Sequence, residues 1–405
     1  MSGRLRAFLV PAVVIAFAIL ATLLAAEGVV RLLGVEPHAK MRVVPGQGIT
    51  FEPGAAYRYV KEGFSEGRFN REGFRDRERS VLKPPGVFRV LVLGDSFVEA
   101  LQVPLDDAFP ALLEDTLRHR TGSDAIEVVA MGQSGFGTAS ELMRWREFGA
   151  AYDPDLVLLA FYAGNDVRDD SRRLSGGAPA FYFTLDAGGG LRLDRSGLLA
   201  LERSRAHGGL TAWLLEHSRL AGLVSDRLDL LRLGRRRAVR EARLAAVSGA
   251  RGGLTAAFPE PDDRNVYLED ASPAWEEAWR VTDALIGRLA EEVAAHGARF
   301  ALVSVGTPEQ VEDDLGRTML QALPAGADLE RPDRRLRAIC DARGIPCLFL
   351  ASHLRAVEAS SGTRLYGFGE RRGGHWNAAG HRAAAQAIEA FLLERRLWTP
   401  PSPEK

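Results

Sequence analysis

The chain opens on a long apolar run. Ala7 to Ala26 contains no charged residue. At about 1.5 Å per residue this stretch spans roughly 30 Å, the hydrocarbon thickness of a bilayer. The pattern predicts an uncleaved membrane helix, with residues 1–32 as the anchor. A cleaved signal peptide is the alternative, but its apolar region is only about 7–15 residues and ends in a small-x-small site. Here Leu23 and Leu24 interrupt that pattern before Glu27. Arg4, Arg6 and the terminal amine flank one side, and Arg31, Lys40 and Arg42 the other. Flanking charge therefore gives nearly a tie for orientation.

After the anchor the periodicity weakens. Residues 33–85 are rich in Gly, Pro, Arg and aromatics, with turn chemistry at Asn70 and Gly73. This predicts a juxtamembrane connector whose end packs on the domain that follows. From residue 86 short apolar runs alternate with helical patterns. Strands are expected at Arg89–Leu93, Ile126–Ala130, Asp155–Phe161, Arg299–Val305 and Cys347–Leu350. Helices are expected near Phe109–His119, Ala139–Gly149, Asp333–Arg343 and His381–Arg395, with another between Ser272 as cap and Gly297 as stop. Near-continuous apolar strands separated by helices indicate a parallel sheet covered on both faces. The domain would occupy 86–397, interrupted by a variable insertion at about 171–270. That insertion holds a candidate hairpin, Phe181–Leu185 with Leu191–Leu193, and the basic run 233–243. The run reads as a solvated face or loop, with contact to anionic lipid or polysaccharide as the sharper alternative.

Composition narrows the function classes. Lys plus Arg (52) balance Asp plus Glu (53), so no global field argues for nucleic acid. Two cysteines, Cys340 and Cys347, cannot build a zinc site of the Cys/His type or a dense disulfide framework. They read as two small core residues. A disulfide would need both side chains to face each other across the turn between them.

Four loops carry candidate chemistry, each at or after the end of an expected strand, where open parallel sheets bind ligands. Gly94-Asp95-Ser96 places a hydroxyl on a tight strand-to-helix turn, although Val98 departs from the Gly-x-Ser-x-Gly elbow. Gly132-Gln-Ser-Gly135-Phe-Gly137 lets backbone amides approach a ligand, with Ser134 as a rival nucleophile. Gly164-Asn165-Asp166 offers a carboxamide donor that does not titrate. Gly374-His375-Trp376-Asn377 offers a general base on a loop before a helix. His375 and His381 are six apart, not the i,i+4 spacing of two helical metal ligands, so no metal is expected.

Taken together and in this order, these loops resemble the sequence blocks of the SGNH/GDSL hydrolase superfamily. The resemblance covers residues about 86–395. Glu27-Gly-Val-Val-Arg31 after the anchor, and the region Gly73-Phe-Arg-Asp76, are similar to its membrane-anchored bacterial branch. It implies a three-layer α/β/α, flavodoxin-like fold with a five-stranded parallel sheet and no cofactor. It also implies Ser96 as nucleophile, and His375 as base and then acid. The oxyanion hole would be the Ser96 and Gly135 amides with the Asn165 side chain, with Asp95, Asp166 and Asn377 in support. Such proteins cleave or transfer acyl esters, and anchored members are often tied to envelope polysaccharide modification. The expectation is thus a single-pass inner-membrane protein whose main domain is periplasmic or extracellular, acting on glycan or lipid esters. One departure matters. The family usually places an Asp two or three residues before the His, where this chain has Gly373 and Arg372. Glu370 folding back, a Ser–His dyad held by a backbone carbonyl, or an impaired site that only binds a glycan or partner protein all remain open.

Overall fold

The computed structural model describes residues 3–35, 41–44, 48–178, 180–206, 209–225, 227–228, 231, 235 and 262–398. Five strands form one parallel sheet: β1 (Phe88–Gly94), β2 (Ile126–Ala130), β3 (Leu156–Phe161), β4 (Arg299–Ser304) and β5 (Cys347–Phe349). Their spatial order is β5-β4-β3-β1-β2. That is the flavodoxin-like order, whose reversal between β1 and β3 opens a crevice at the carboxyl ends of the strands.

Both faces of the sheet are covered because its strands are apolar on both sides. Val90, Val92, Val128, Leu156, Leu158, Ala301 and Val303 point to one core. There they meet α3 (Phe109–Thr121), α8 (Leu350–Ser361) and α9 (Ala378–Glu394). The alternate residues Leu91, Leu93, Val129, Val157, Leu159 and Leu302 point to the other core. That side is closed by α4 (Thr138–Glu147), α6 (Pro273–Ala295) and α7 (Arg331–Arg343). The period-two switch along each strand therefore divides a three-layer α/β/α domain into two cores. Two very short helices complete the site end, α2 (Ser96–Glu99) and α5 (Asp166–Asp169). Ser272 stands at the N-cap of α6 with Pro273 in its first turn, and Gly297, at φ +93°, follows its end.

The N-terminal helix α1 runs Gly3–Leu32, and Val10–Leu32 within it is long and apolar enough to cross a membrane. Past it, strands 41–44 and 48–51 pair antiparallel, and an antiparallel hairpin forms at 56–68. Another antiparallel pair, Tyr182–Leu185 with Leu191–Asp194, lies in the insertion where a hairpin was expected. The basic run 233–243 falls outside the described residues except Arg235, which is helical and exposed.

The expectation of two separate cysteines is corrected. Cys340, in the last turn of α7, is bonded to Cys347, the first residue of β5. Gly344 ends α7 in the left-handed conformation, φ +65°, and reverses the chain so that the two side chains meet.

Residues 70–79 are bound tightly to the sheet domain. Arg75 is buried, lies over the Tyr57 ring and donates to Tyr57 Oη. Its remaining N–H groups reach the carbonyls of Glu99 (2.8 Å), Ala100 (2.9 Å) and Val103 (2.5 Å). Arg77 and Arg79 both pair with the buried Glu114 of α3. Arg75→Ala should therefore destabilise the protein by about 3–5 kcal/mol, because three carbonyls lose a charged donor inside the fold. Arg75→Lys should recover only part of this, since an ammonium cannot span the same fork of acceptors. A urea titration followed by circular dichroism measures both, and an unchanged midpoint for Arg75→Ala would contradict the account.

Candidate active site

The first three chemical loops leave the carboxyl ends of β1, β2 and β3, which are neighbours in the sheet. β1 ends at Gly94, and Asp95 caps α2 by accepting the Phe97 N–H at 2.9 Å. Ser96 is the first residue of that helix, so its own N–H is among the donors that a helix N-terminus leaves unused. The turn is tight for a packing reason. A Cβ on Gly94 would come within 2.4 Å of Val98, and one on Gly132 would come equally close. Val98 fills the space between the two glycines, which accounts for a valine where the other elbow has glycine. The β2 loop is tied to the end of β1 by Gln133 N–H donating to the Gly94 carbonyl at 3.1 Å. Gly135 sits exposed at its tip with φ +81°.

Ser96 and His375 are brought together. His375 Nε2 lies 2.8 Å from Ser96 Oγ. The Asp95 carboxylate is a weaker partner of the same hydroxyl at 3.3 Å. On the far side of the ring, His375 Nδ1 lies 2.8 Å from Oε2 of Glu62. The other oxygen of Glu62 accepts the His375 backbone N–H at 2.9 Å. A carboxylate that accepts from Nδ1–H leaves the Nε2 lone pair to receive the serine proton. The three side chains thus form a hydrogen-bonded relay from hydroxyl to imidazole to carboxylate, the arrangement in which a base activates a nucleophile and an acid orients the base.

Glu62 corrects the expectation for the third group. Glu370 is exposed, and Nδ1 of His375 is engaged by Glu62. A backbone carbonyl does not hold the ring either. Glu62 arrives from the segment expected to be a connector, at the tip of the 56–68 hairpin. Three contacts fix that tip. Phe64 N–H donates to the Gln102 carbonyl, Ser65 Oγ to the Leu101 carbonyl, and Arg371 to the Lys61 carbonyl. The histidine loop is shaped to receive it. Gly373 and Gly374 have φ +66° and +81°, and a Cβ on Gly374 would lie 1.9 Å from Glu62 Oε1. Arg372, three residues before His375, turns away to pair with Glu312 and Asp314. Burial alone would raise the Glu62 carboxyl. The hydrogen bond and charge of His375 outweigh it and hold Glu62 below the ordinary carboxylate value.

Asn165 stands half-buried at the N-cap position of α5, past the end of β3, and its Nδ2 donates to Asp169 at 2.9 Å. A carboxamide has a second N–H that this bond leaves over. Asp166 is buried beneath the loop, accepts the Tyr162 N–H at 2.8 Å, and is pushed well up by burial. Asn377 holds the histidine loop. Its Oδ1 accepts the Ala379 and Gly380 N–H groups of α9, and its Nδ2 donates to the Arg364 and Gly367 carbonyls. Phe97 and the buried Trp376 pack edge to face, and Phe97 also lies 5.0 Å from the His375 ring. His381 is buried away from the relay, accepts the Phe109 N–H at 3.2 Å, and is pushed down to about 3 by burial. Ser134 is not part of the relay: its Oγ bonds the buried Glu99 carboxylate. Among the described residues no group of three or more His, Cys, Asp or Glu is arranged to hold a metal ion.

No family model and no curated protein matches the chain. Solved structures that it is similar to include the acetyl xylan esterase AlAXEase, at 11% identity and TM-score 0.38, covering 75% of this chain and 98% of that one. A catalytic mutant of the acetylxylan esterase Axe2 from Geobacillus stearothermophilus aligns at 13% identity and TM-score 0.38, covering 76% of this chain and 96% of that one. TesA aligns at 14% identity and TM-score 0.36, with 76% and 99% coverage.

Proposed function

We propose that this chain is a serine ester hydrolase of the SGNH/GDSL type, held at a membrane by α1. The observation that carries this reading is the unbroken relay Ser96–His375–Glu62, with 2.8 Å at each link. In the first half-reaction Ser96 Oγ attacks the ester carbonyl carbon while His375 Nε2 takes its proton. Charge builds on the carbonyl oxygen, to be met by the Ser96 and Gly135 N–H groups and the Asn165 amide. The tetrahedral adduct collapses, the C–O bond to the alcohol breaks, and His375 returns the proton to the departing oxygen. Water then attacks the acyl-enzyme with His375 again as base, releasing the acid and restoring Ser96. Glu62 orients the imidazole throughout and stabilises its protonated form.

The layout that goes with this reading is an anchor over 1–32, a connecting segment over 33–85 that contributes the acid, and a hydrolase domain over 86–397. The Cys340–Cys347 disulfide supports an oxidising compartment, and hence a domain outside the cytoplasm. An acyl ester of an envelope glycan or lipid is the substrate class in keeping with such an anchored domain. O-acyl transfer would share the acyl-enzyme and replace water by a sugar hydroxyl. The reading of a module that only binds rested on a missing acid, and Glu62 removes that support. The purified full chain should hydrolyse p-nitrophenyl acetate and butyrate with saturation kinetics. Turnover no faster than buffer across acetyl to octanoyl esters would overturn the esterase reading. A glycan acceptor that diverts the acyl group from water would identify transfer.

A further inference from the structure

The uncharged run of α1 ends at Ala26, so on the reading of α1 as an anchor Glu27 would mark the level at which the helix leaves the hydrocarbon. Glu27 is not left to water. Its carboxylate accepts from Ser218 Oγ (2.8 Å) and from the N–H groups of Arg219 (3.1 Å) and Leu220 (2.9 Å). Arg31, one turn further on, pairs with Glu27 and donates to the His217 carbonyl at 2.7 Å. The anchor thus caps the start of one insertion helix, which begins at 219, and the end of another, Gly209–His217. Both are held at the depth where α1 emerges.

These two helices expose large apolar side chains. Trp213 is 55% exposed and Leu214 38%. Val224, Leu228 and Leu231 are exposed at i, i+4 and i+7, the spacing of a single helical face. Arg227 is exposed beside that stripe. A row of apolar residues next to a cation, fixed by hydrogen bonds to the exit of a membrane helix, has the character of an interfacial element.

We propose that this helix pair lies in the membrane interface beside α1, with Trp213, Leu214, Val224, Leu228 and Leu231 inserted among the lipid acyl chains. The anchor would then be a three-helix contact that fixes how the domain stands on the bilayer. The proposal rests on the reading of α1 as membrane-spanning, and its test separates the two. The full chain carrying Val224→Cys or Leu228→Cys, labelled with an environment-sensitive fluorophore, is placed in phosphatidylcholine vesicles containing a minority of phosphatidylglycerol. Ile15→Cys reports on the middle of α1, and Leu320→Cys, exposed on the helix Asp313–Ala322, on the domain surface. Lipids spin-labelled near the headgroup should remove most of the fluorescence at 224 and 228, and lipids labelled at the chain end most of that at Ile15. Position 320 should lose none. Quenching at Ile15 with none at 224 and 228 would overturn the proposal and leave the anchor standing. A blue-shifted but unquenched signal at 224 would assign the face to protein, such as a second copy, and would equally overturn it. No quenching at Ile15 would remove the anchor reading and the proposal with it.

Discussion

Glu62→Gln should lower kcat by about 10³–10⁴-fold, with KM nearly unchanged, although Glu62 lies outside the residues that carry the superfamily resemblance. Glutamine keeps the shape of the side chain, so the hairpin tip and the His375 backbone contact survive. What changes is the relation to the ring. A neutral amide cannot balance the imidazolium that forms during attack. If its NH₂ faces Nδ1, it favours the tautomer with the proton on Nε2, where Ser96 needs an acceptor. Glu370→Ala, at the exposed acid nearest before His375 in sequence, should leave kcat within about twofold, as surface substitutions commonly do. Equal losses in the two variants, or a larger one for Glu370→Ala, would contradict the relay. The pH behaviour follows from the sign of the shift. His375 holds the Glu62 carboxyl below its ordinary value against the opposing effect of burial. The carboxylate's contribution is therefore fully present above the unfolded value and is lost only as pH falls through the lower folded one. The deficit of Glu62→Gln should accordingly persist across the neutral range, from about pH 6 to 8, as expected for an acid that titrates well below it.

Ser96→Ala should abolish ester turnover, with a loss of about 10⁴-fold or more, because it removes the hydroxyl bonded to Nε2 of His375. The comparison that matters is Ser134→Ala. Ser134 stands in the glycine-rich loop and by sequence rivals Ser96. Its hydroxyl is instead bound to Glu99, a buried carboxylate that also accepts the Ser134 N–H at 2.9 Å. Ser134→Ala should retain measurable kcat while loosening the loop that carries Gly135. Both variants should keep the far-ultraviolet circular dichroism of the wild type, since neither side chain belongs to the two cores.

The contrast between Ser96 and Glu62 explains how much could be read from the chain. Strands β1 to β5 are short apolar runs bounded by turn residues, and periodicity finds them within a residue or two. The loops of Ser96 and Asn165 follow strand ends and His375 stands just before a helix, so local spacing locates these three candidates. Helix α8 escaped because it starts at Leu350, directly on the end of β5, with no cap or break to announce it. The disulfide depended on how one left-handed glycine reverses the chain. Glu62 left no motif at all. It lies 313 residues before His375, and Lys61-Glu62-Gly63 reads as an ordinary turn. Two indirect signs were present: no acid at the usual place, and adjacent glycines, 373 and 374, just before the histidine. Their left-handed backbone, and the space a side chain on Gly374 would fill, belong to a loop built to admit a group from elsewhere.

On the proposed reading, residues 56–79 belong to the catalytic unit. The hairpin then supplies the acid, and Arg75 holds the carbonyl of Glu99, the last residue of α2, and those of Ala100 and Val103 beyond it. A segment expected to join a membrane helix to an enzyme thus completes the candidate site.

The most direct test of the relay needs no knowledge of the substrate. The full chain is treated with a fluorophosphonate, digested and mapped by mass spectrometry. The account predicts one phosphonyl adduct, on Ser96, formed far more slowly in Glu62→Gln and His375→Ala and at the wild-type rate in Glu370→Ala. An adduct on Ser134, no adduct at all, or labelling of Ser96 that is indifferent to Glu62 would contradict it.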